Sequence, residues 1–153
     1  MPSVNDKQEI MELLSKYLFC LDEKKFDSVS MSEIFTENAE ITIPLSIDSQ
    51  QECRGLKEIR AALTARFKQV KSSHHVSSDF LFLASSDNAA EIRCKVSGFY
   101  NSLSQENEAY LSVGVINFSV VLTMDGWRIH SMARKTRTTY NMNIITKTQE
   151  ELI

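Results

Sequence analysis

Three polar side chains carry the chemistry this sequence could support: Asp22, His75 and Asn117. A neutral imidazole, with an ordinary pKa near ~6.5, takes up a proton at neutral pH without a large shift. If Asp22 accepts a hydrogen bond from one ring nitrogen of His75, it fixes the tautomer and stabilises the imidazolium formed on proton transfer. The other nitrogen would then face a cavity as base. Asn117 can donate its amide N–H to a substrate carbonyl on which negative charge develops. Together they would remove a proton next to a carbonyl and return it elsewhere, in isomerisation, dehydration or an aldol-type cyclisation. The base is worth roughly 10²–10⁴-fold and the oxyanion donor roughly 10²–10³-fold.

Each residue also has a plainer reading. Asp22 could end a helix in solvent, His75 could be a satisfied structural histidine, and a cross-strand hydrogen bond would satisfy Asn117 equally well. No metal or cofactor is required. Adjacent histidines on a strand point to opposite faces, which sets His74 outside and argues against joint ligation.

The elements that must position these groups follow from periodicity. From Lys7 to Asp22, residues Ile10, Leu13, Leu14, Tyr17, Leu18 and Leu21 form one apolar stripe at helical spacing, with Asp22 on its edge. Asp6, followed three residues later by Glu9, reads as its capping box. Phe26, Val29, Met31, Ile34 and Phe35 suggest a second, shorter helical piece. Ala39 to Pro44 alternates as a strand, and Leu45 to Arg54 reads as a polar loop that could cover a pocket mouth.

Gly55 then opens a long helix with Leu56, Ile59, Leu63, Phe67 and Val70 on its apolar face. Beyond Ser72-Ser73 the period changes. Strands are expected over 75–83, 90–102, 109–124 and 126–138. Turns at Ser86-Asp87-Asn88 and Met124-Asp125-Gly126 and a longer polar loop, SLSQENE, separate them. In that last strand His130 shares parity with Arg128 and Arg134, which puts all three on the outer face. Helices first and a four-stranded meander afterwards give an α+β fold, with the helices laid on the concave face of a strongly bent, mainly antiparallel sheet.

Composition narrows the function. The chain has 153 residues, 42% of them hydrophobic, enough for one domain with a sizeable core. The expected unit is a single domain over 1–153, with its core at about 7–138 and an extension at 139–153. A net charge of −3 with mixed signs offers no basic stripe for nucleic acid and no polybasic anchor for a membrane. Cys20, Cys53 and Cys94 lie far apart with no CxxC spacing, so a disulfide framework or zinc knuckle is not expected. No signal peptide or membrane span is legible, which points to the cytoplasm. Leu81 and Leu83 face opposite Phe80 and Phe82, so that strand is apolar on both sides. Its outer side calls for a cover, supplied by a homodimer or other homo-oligomer, or by the residues from Thr139 to Ile153 folding back.

Specific stretches carry a resemblance. YLFCLDEKKFD in a helix, the strand AEITIP, the helix opened by GLKEIRAAL, then SHHV, then a meander ending in DGWRI resemble the SnoaL-like branch of the nuclear transport factor 2-like superfamily. The resemblance covers roughly Lys7 to Lys135 and implies a cone-shaped α+β barrel. Within that superfamily, which includes ketosteroid isomerase, the chain is similar to scytalone dehydratase at Asp22, His75 and Asn117. Leu21 and Ile43 stand where that enzyme has two water-binding tyrosines, which argues against scytalone as substrate and against an identical water-mediated mechanism.

The expectation is therefore a cofactor-independent acid–base enzyme acting on a small apolar carbonyl compound of polyketide-like or steroid-like type. Tyr17, Leu18, Ile43, Phe67, Cys94 and Tyr100 are the expected pocket lining. The alternative is a non-catalytic binding or assembly module of the same fold, or a small subunit of a larger oxygenase.

Overall fold

The first helix begins where a side chain can stand in for missing backbone partners. Ser3 accepts a hydrogen bond from the Asp6 amide, and Asp6 reaches back to the Ser3 amide, closing a capping box at the start of α1 (Val4–Glu23). The expected cap at Asp6 with Glu9 is thus displaced by one turn, because Ser3 supplies the acceptor and Asp6 takes the third helical position. Asp6 also accepts from the Trp127 indole at 3.0 Å, tying the helix to the last strand.

The far end of α1 closes in a Schellman turn. Lys24 sits in the left-handed region at φ 53°, and the Lys25 amide bonds back to the Cys20 carbonyl. The Lys24 ammonium donates to the Val70 carbonyl, pinning the helix end to the start of a strand. Ile10, Leu13, Leu14, Tyr17, Leu18 and Leu21 are buried, as the stripe requires.

The structure, a computed structural model, describes residues 2–45, 48–103 and 108–143. After α1 come α2 (Ser28–Ser32), β1 (Phe35–Pro44), β2 (Gln50–Arg54), α3 (Gly55–Phe67), β3 (Val70–Ser85), β4 (Ala89–Ser102), β5 (Glu108–Thr123) and β6 (Gly126–Asn143). The six strands form one sheet in the order β2-β1-β6-β5-β4-β3. Only the β1–β6 pair is parallel among these neighbours. The helices pack on one face of this curved mixed sheet, giving the α+β architecture.

Several boundaries differ from the periodicity reading. The second helix is a single short turn region capped by Asp27, and Phe35 already belongs to β1. Residues 50–54 form an edge strand on β1 rather than loop; only Cys53 in it is buried, so it carries no apolar alternation to betray it. Val70 opens β3 instead of closing α3, and β3 therefore includes Ser73 and both histidines. Residues 139–143 continue β6, whereas 144–153, like 46–47 and 104–107 of the expected loops, lie outside the described residues.

The core lies between the helices and the inner sheet face, where Ile10, Leu14, Leu63, Ile92, Ile116 and Ile129 are at most 1% exposed. Each such side chain contributes roughly 1.5–3 kcal/mol through burial. On β3, Phe80 and Phe82 lean on this core, while Leu81 and Leu83 on the other side are 60% and 58% exposed.

Bulges decide which face of β6 looks inward. Val120 pairs with Ile129 and Ser119 with Ser131, so His130 is an extra residue on β6. Side-chain parity reverses there. Trp127 and Ile129 are buried before the bulge, and Met132 after it. Arg134, expected outside with Arg128 and His130, is thereby turned inward.

Candidate active site

Asp22 is delivered by the last turn of α1 to the open edge of the sheet. There β3 has no strand neighbour beyond it, and Asp22 Oδ2 accepts from the His75 amide at 3.0 Å. Asp22 Oδ1 accepts from the Ser73 hydroxyl at 2.9 Å and lies 2.6 Å from His75 Nδ1. Three donors hold the carboxylate in one orientation, and the imidazole with it.

The carboxylate fixes His75 with its hydrogen on Nδ1, leaving Nε2 as acceptor. That nitrogen does not open onto the cavity, contrary to the expectation from the sequence. It lies 2.6 Å from the Tyr100 hydroxyl, and the His75 side chain is fully covered. Tyr100 O–H donates to Nε2, and Arg134 Nη1 donates to the Tyr100 oxygen at 3.1 Å. A continuous chain thus runs Asp22, His75, Tyr100, Arg134.

Local packing puts the phenol there. Gly98 pairs with His75 across the β3–β4 ladder and shares its face with Tyr100, two residues on. A Cβ at Gly98 would lie 2.7 Å from the Tyr100 ring and hydroxyl. The bare backbone lets the ring lean along the strand to reach His75. Tyr110 stacks on its other side, ring centroids 4.8 Å apart.

Burial sets the resting protonation. It holds the His75 pKa below 6.5 despite the Asp22 hydrogen bond, with Arg134 acting in the same direction as burial. Burial likewise raises the Tyr100 phenol, against the pull of Arg134. At neutral pH the group therefore rests as neutral tyrosine and neutral histidine.

Tyr100 and Arg134 form part of the wall of a cavity of about 550 Å³. Tyr17, Leu18, Ile43 and Phe67 line it, as expected from the sequence, together with Tyr110 and Ser112. Tyr17 is buried, and burial raises its pKa strongly. Cys94 does not line this cavity: it is 1% exposed in the core, its thiol pushed up to about 12 by burial.

Asn117 is not brought to the site. Inward positions on β5 are the even ones, Ser112, Ile116, Phe118 and Val120; Asn117 is exposed on the opposite face, paired with Arg93 and Ala133. It cannot polarise a carbonyl bound in this cavity. Arg134, Ser73 and Gly98 do not stand out in the sequence as site residues. A glycine two residues before an aromatic in a strand, opposite a histidine, is the signal that could have found the tyrosine contact. Among the described residues no cluster of histidine, cysteine and carboxylate is arranged to hold a metal ion. No helix among them is long and apolar enough to cross a membrane.

The profile of the SnoaL-like domain matches residues 2–133. The chain belongs to the SnoaL-like family. No curated protein sequence matches this SnoaL-like chain. Among solved structures it is similar to the Kfla4162 protein from Kribbella flavida, 24% identical, with a TM-score of 0.78 over 89% of this chain and 93% of that one. A candidate scytalone dehydratase from Novosphingobium aromaticivorans is 15% identical, with a TM-score of 0.78 over 95% and 97% of the two chains. The LinA-type3 hexachlorocyclohexane dehydrochlorinase from Novosphingobium barchaimii is 14% identical, with a TM-score of 0.77 over 95% and 99%. At these identities the likeness is one of fold.

Proposed function

We propose that this SnoaL-like protein is a cofactor-independent acid–base enzyme, a lyase or isomerase that moves a proton next to a carbonyl. The observation that carries this reading is the hydrogen-bonded chain from Asp22 through His75 to Tyr100, ending at the wall of a largely apolar cavity. Two proteins of the same fold are named for eliminations, a dehydratase and a dehydrochlorinase, and such reactions also begin at a C–H bond. The substrate is a small, largely apolar carbonyl compound, of polyketide-like or steroid-like type, held by Tyr17, Leu18, Ile43 and Phe67.

The proton path follows the hydrogens. Tyr100 Oη takes the substrate proton as its own hydrogen passes to His75 Nε2, and Asp22 stabilises the imidazolium. The carbanion is left as an enolate. Reprotonation at another carbon by the same path gives isomerisation; loss of a β-hydroxyl, protonated by that path, gives water and an unsaturated carbonyl. His75 is the base, acting through Tyr100 rather than at the substrate.

Simple model compounds suffice for the test. Aromatic ketones with enolisable hydrogens are incubated with the protein in deuterium oxide, and exchange at the carbon beside the carbonyl is followed by proton NMR. Exchange above the buffer rate is expected for the wild type and lost in both Tyr100→Phe and His75→Gln. Exchange that survives in these folded variants at the wild-type rate rules the proposal out.

A further inference from the structure

The cavity wall has a charge pattern that a purely apolar substrate does not explain. Arg66, Arg134 and Arg137 line it, and no aspartate or glutamate does so among the described residues. Arg134 approaches Tyr100 through Nη1, while its Nε and Nη2 are buried without a hydrogen-bond partner among the described residues. Buried guanidinium donors left unpaired are costly, and elsewhere in this fold such donors are used: Arg60 bonds the Phe26 carbonyl and Arg128 the Ser32 carbonyl.

Placement adds to this. Arg134 faces inward through the bulge at His130, and Arg137 is itself the extra residue of a second bulge, where Val113 pairs with Thr138 and Gly114 with Thr136. Arg66, near the end of α3, lies on the cavity wall beside Phe67. One irregularity and one helix end thus bring Arg134 and Arg66 to a hollow that is otherwise largely apolar, and the exposed Arg137 at the second bulge also borders it. A guanidinium is planar and matches a carboxylate in two parallel hydrogen bonds.

We infer that the ligand of this cavity is an anion, an apolar ring compound bearing a carboxylate that Arg134 binds, with Arg66 and Arg137 supplying the surrounding positive field. This rests on the reading of the cavity as the functional site but not on the proton chemistry. The carboxylate sits beside Tyr100, so the same guanidinium orients the ring toward the phenol. A neutral ring of equal shape fills the apolar walls yet leaves the guanidiniums unpaired, and binds more weakly.

The test is calorimetric titration of the full chain with 2-naphthoate and with 2-naphthamide, nearly equal in shape and differing in charge. Naphthoate is expected to bind at least about tenfold more tightly, and to weaken on raising salt while the amide does not. Arg134→Met should bring naphthoate to the level of the amide, and Arg134→Lys should retain part of the preference. Equal binding of the two compounds, no naphthoate binding up to millimolar concentration, or an unchanged preference in folded Arg134→Met overturns it. If naphthoate binds as expected while ketone exchange fails to depend on His75 and Tyr100, the ligand class stands and the proton-transfer reading falls.

Discussion

Asp22 and His75 lie 53 residues apart and meet through two contacts, one to the ring and one to the backbone of the same residue. That double hold fixes the imidazole rigidly behind Tyr100, which forms the wall. His75→Gln should therefore lower turnover roughly 10²–10⁴-fold, read from exchange rates, with far-ultraviolet circular dichroism unchanged. Acidity should show the same group. Because burial keeps His75 below its ordinary 6.5, the acid limb of the rate profile should fall below 6.5 rather than at it. Stability follows with a defined sign: the unfolded chain binds this proton first as pH drops. The His75 contribution is complete above 6.5 and is lost as pH falls through the window down to the folded pKa. Urea midpoints between pH 7.5 and 5 should decline less in His75→Gln than in the wild type.

Secondary elements place these groups through their ends and irregularities. A helix ending in a Schellman turn stops with Asp22 against the strand edge, and the Ser3–Asp6 box fixes its other end. Ser3→Ala should cost about 1 kcal/mol by denaturant unfolding, the usual size of a lost N-cap. Within β4, Gly98 leaves the space into which the Tyr100 ring leans. Gly98→Ala should push that ring off His75, reducing exchange at least about tenfold. Alanine is intrinsically favoured over glycine in a strand by roughly 0.5–1 kcal/mol, which offsets part of the cost of displacing the ring, so its stability should change by only about 1 kcal/mol. Full activity in Gly98→Ala would show that the Tyr100–His75 contact is dispensable.

Over the whole molecule, the cavity is a compromise between folding and binding. Arg134 carries buried donors without partners among the described residues, a cost that a methionine of similar length would remove. Ligand-free Arg134→Met should unfold at a higher temperature than the wild type, by a few degrees for about 1–2 kcal/mol. Thermal scans check this, and a lower transition temperature would mean that the guanidinium serves the fold. The opposite expectation holds in the core: Leu14→Ala, at a site with no exposed surface, should cost roughly 2–5 kcal/mol.

Hydrophobic periodicity by itself determined the container. The stripe from Ile10 to Leu21, the face of α3 and the alternation of Ile92, Cys94 and Val96 each require one covered side, and together they allow few arrangements other than helices on a bent sheet. Asp22 at the edge of a stripe and His75 opposite His74 in strand parity were legible for the same reason. Long-range register decided the rest. An extra residue at His130 leaves no mark on composition, yet it reverses the faces of Met132 and Arg134; the parity of β5 put Asn117 outside. The polar edge strand at 50–54 exists because β1 offers it a partner, not because its residues alternate. Which nitrogen of His75 meets Tyr100, and which charges surround the hollow, depended on side chains brought together by strand pairing across many residues, which local patterns do not encode.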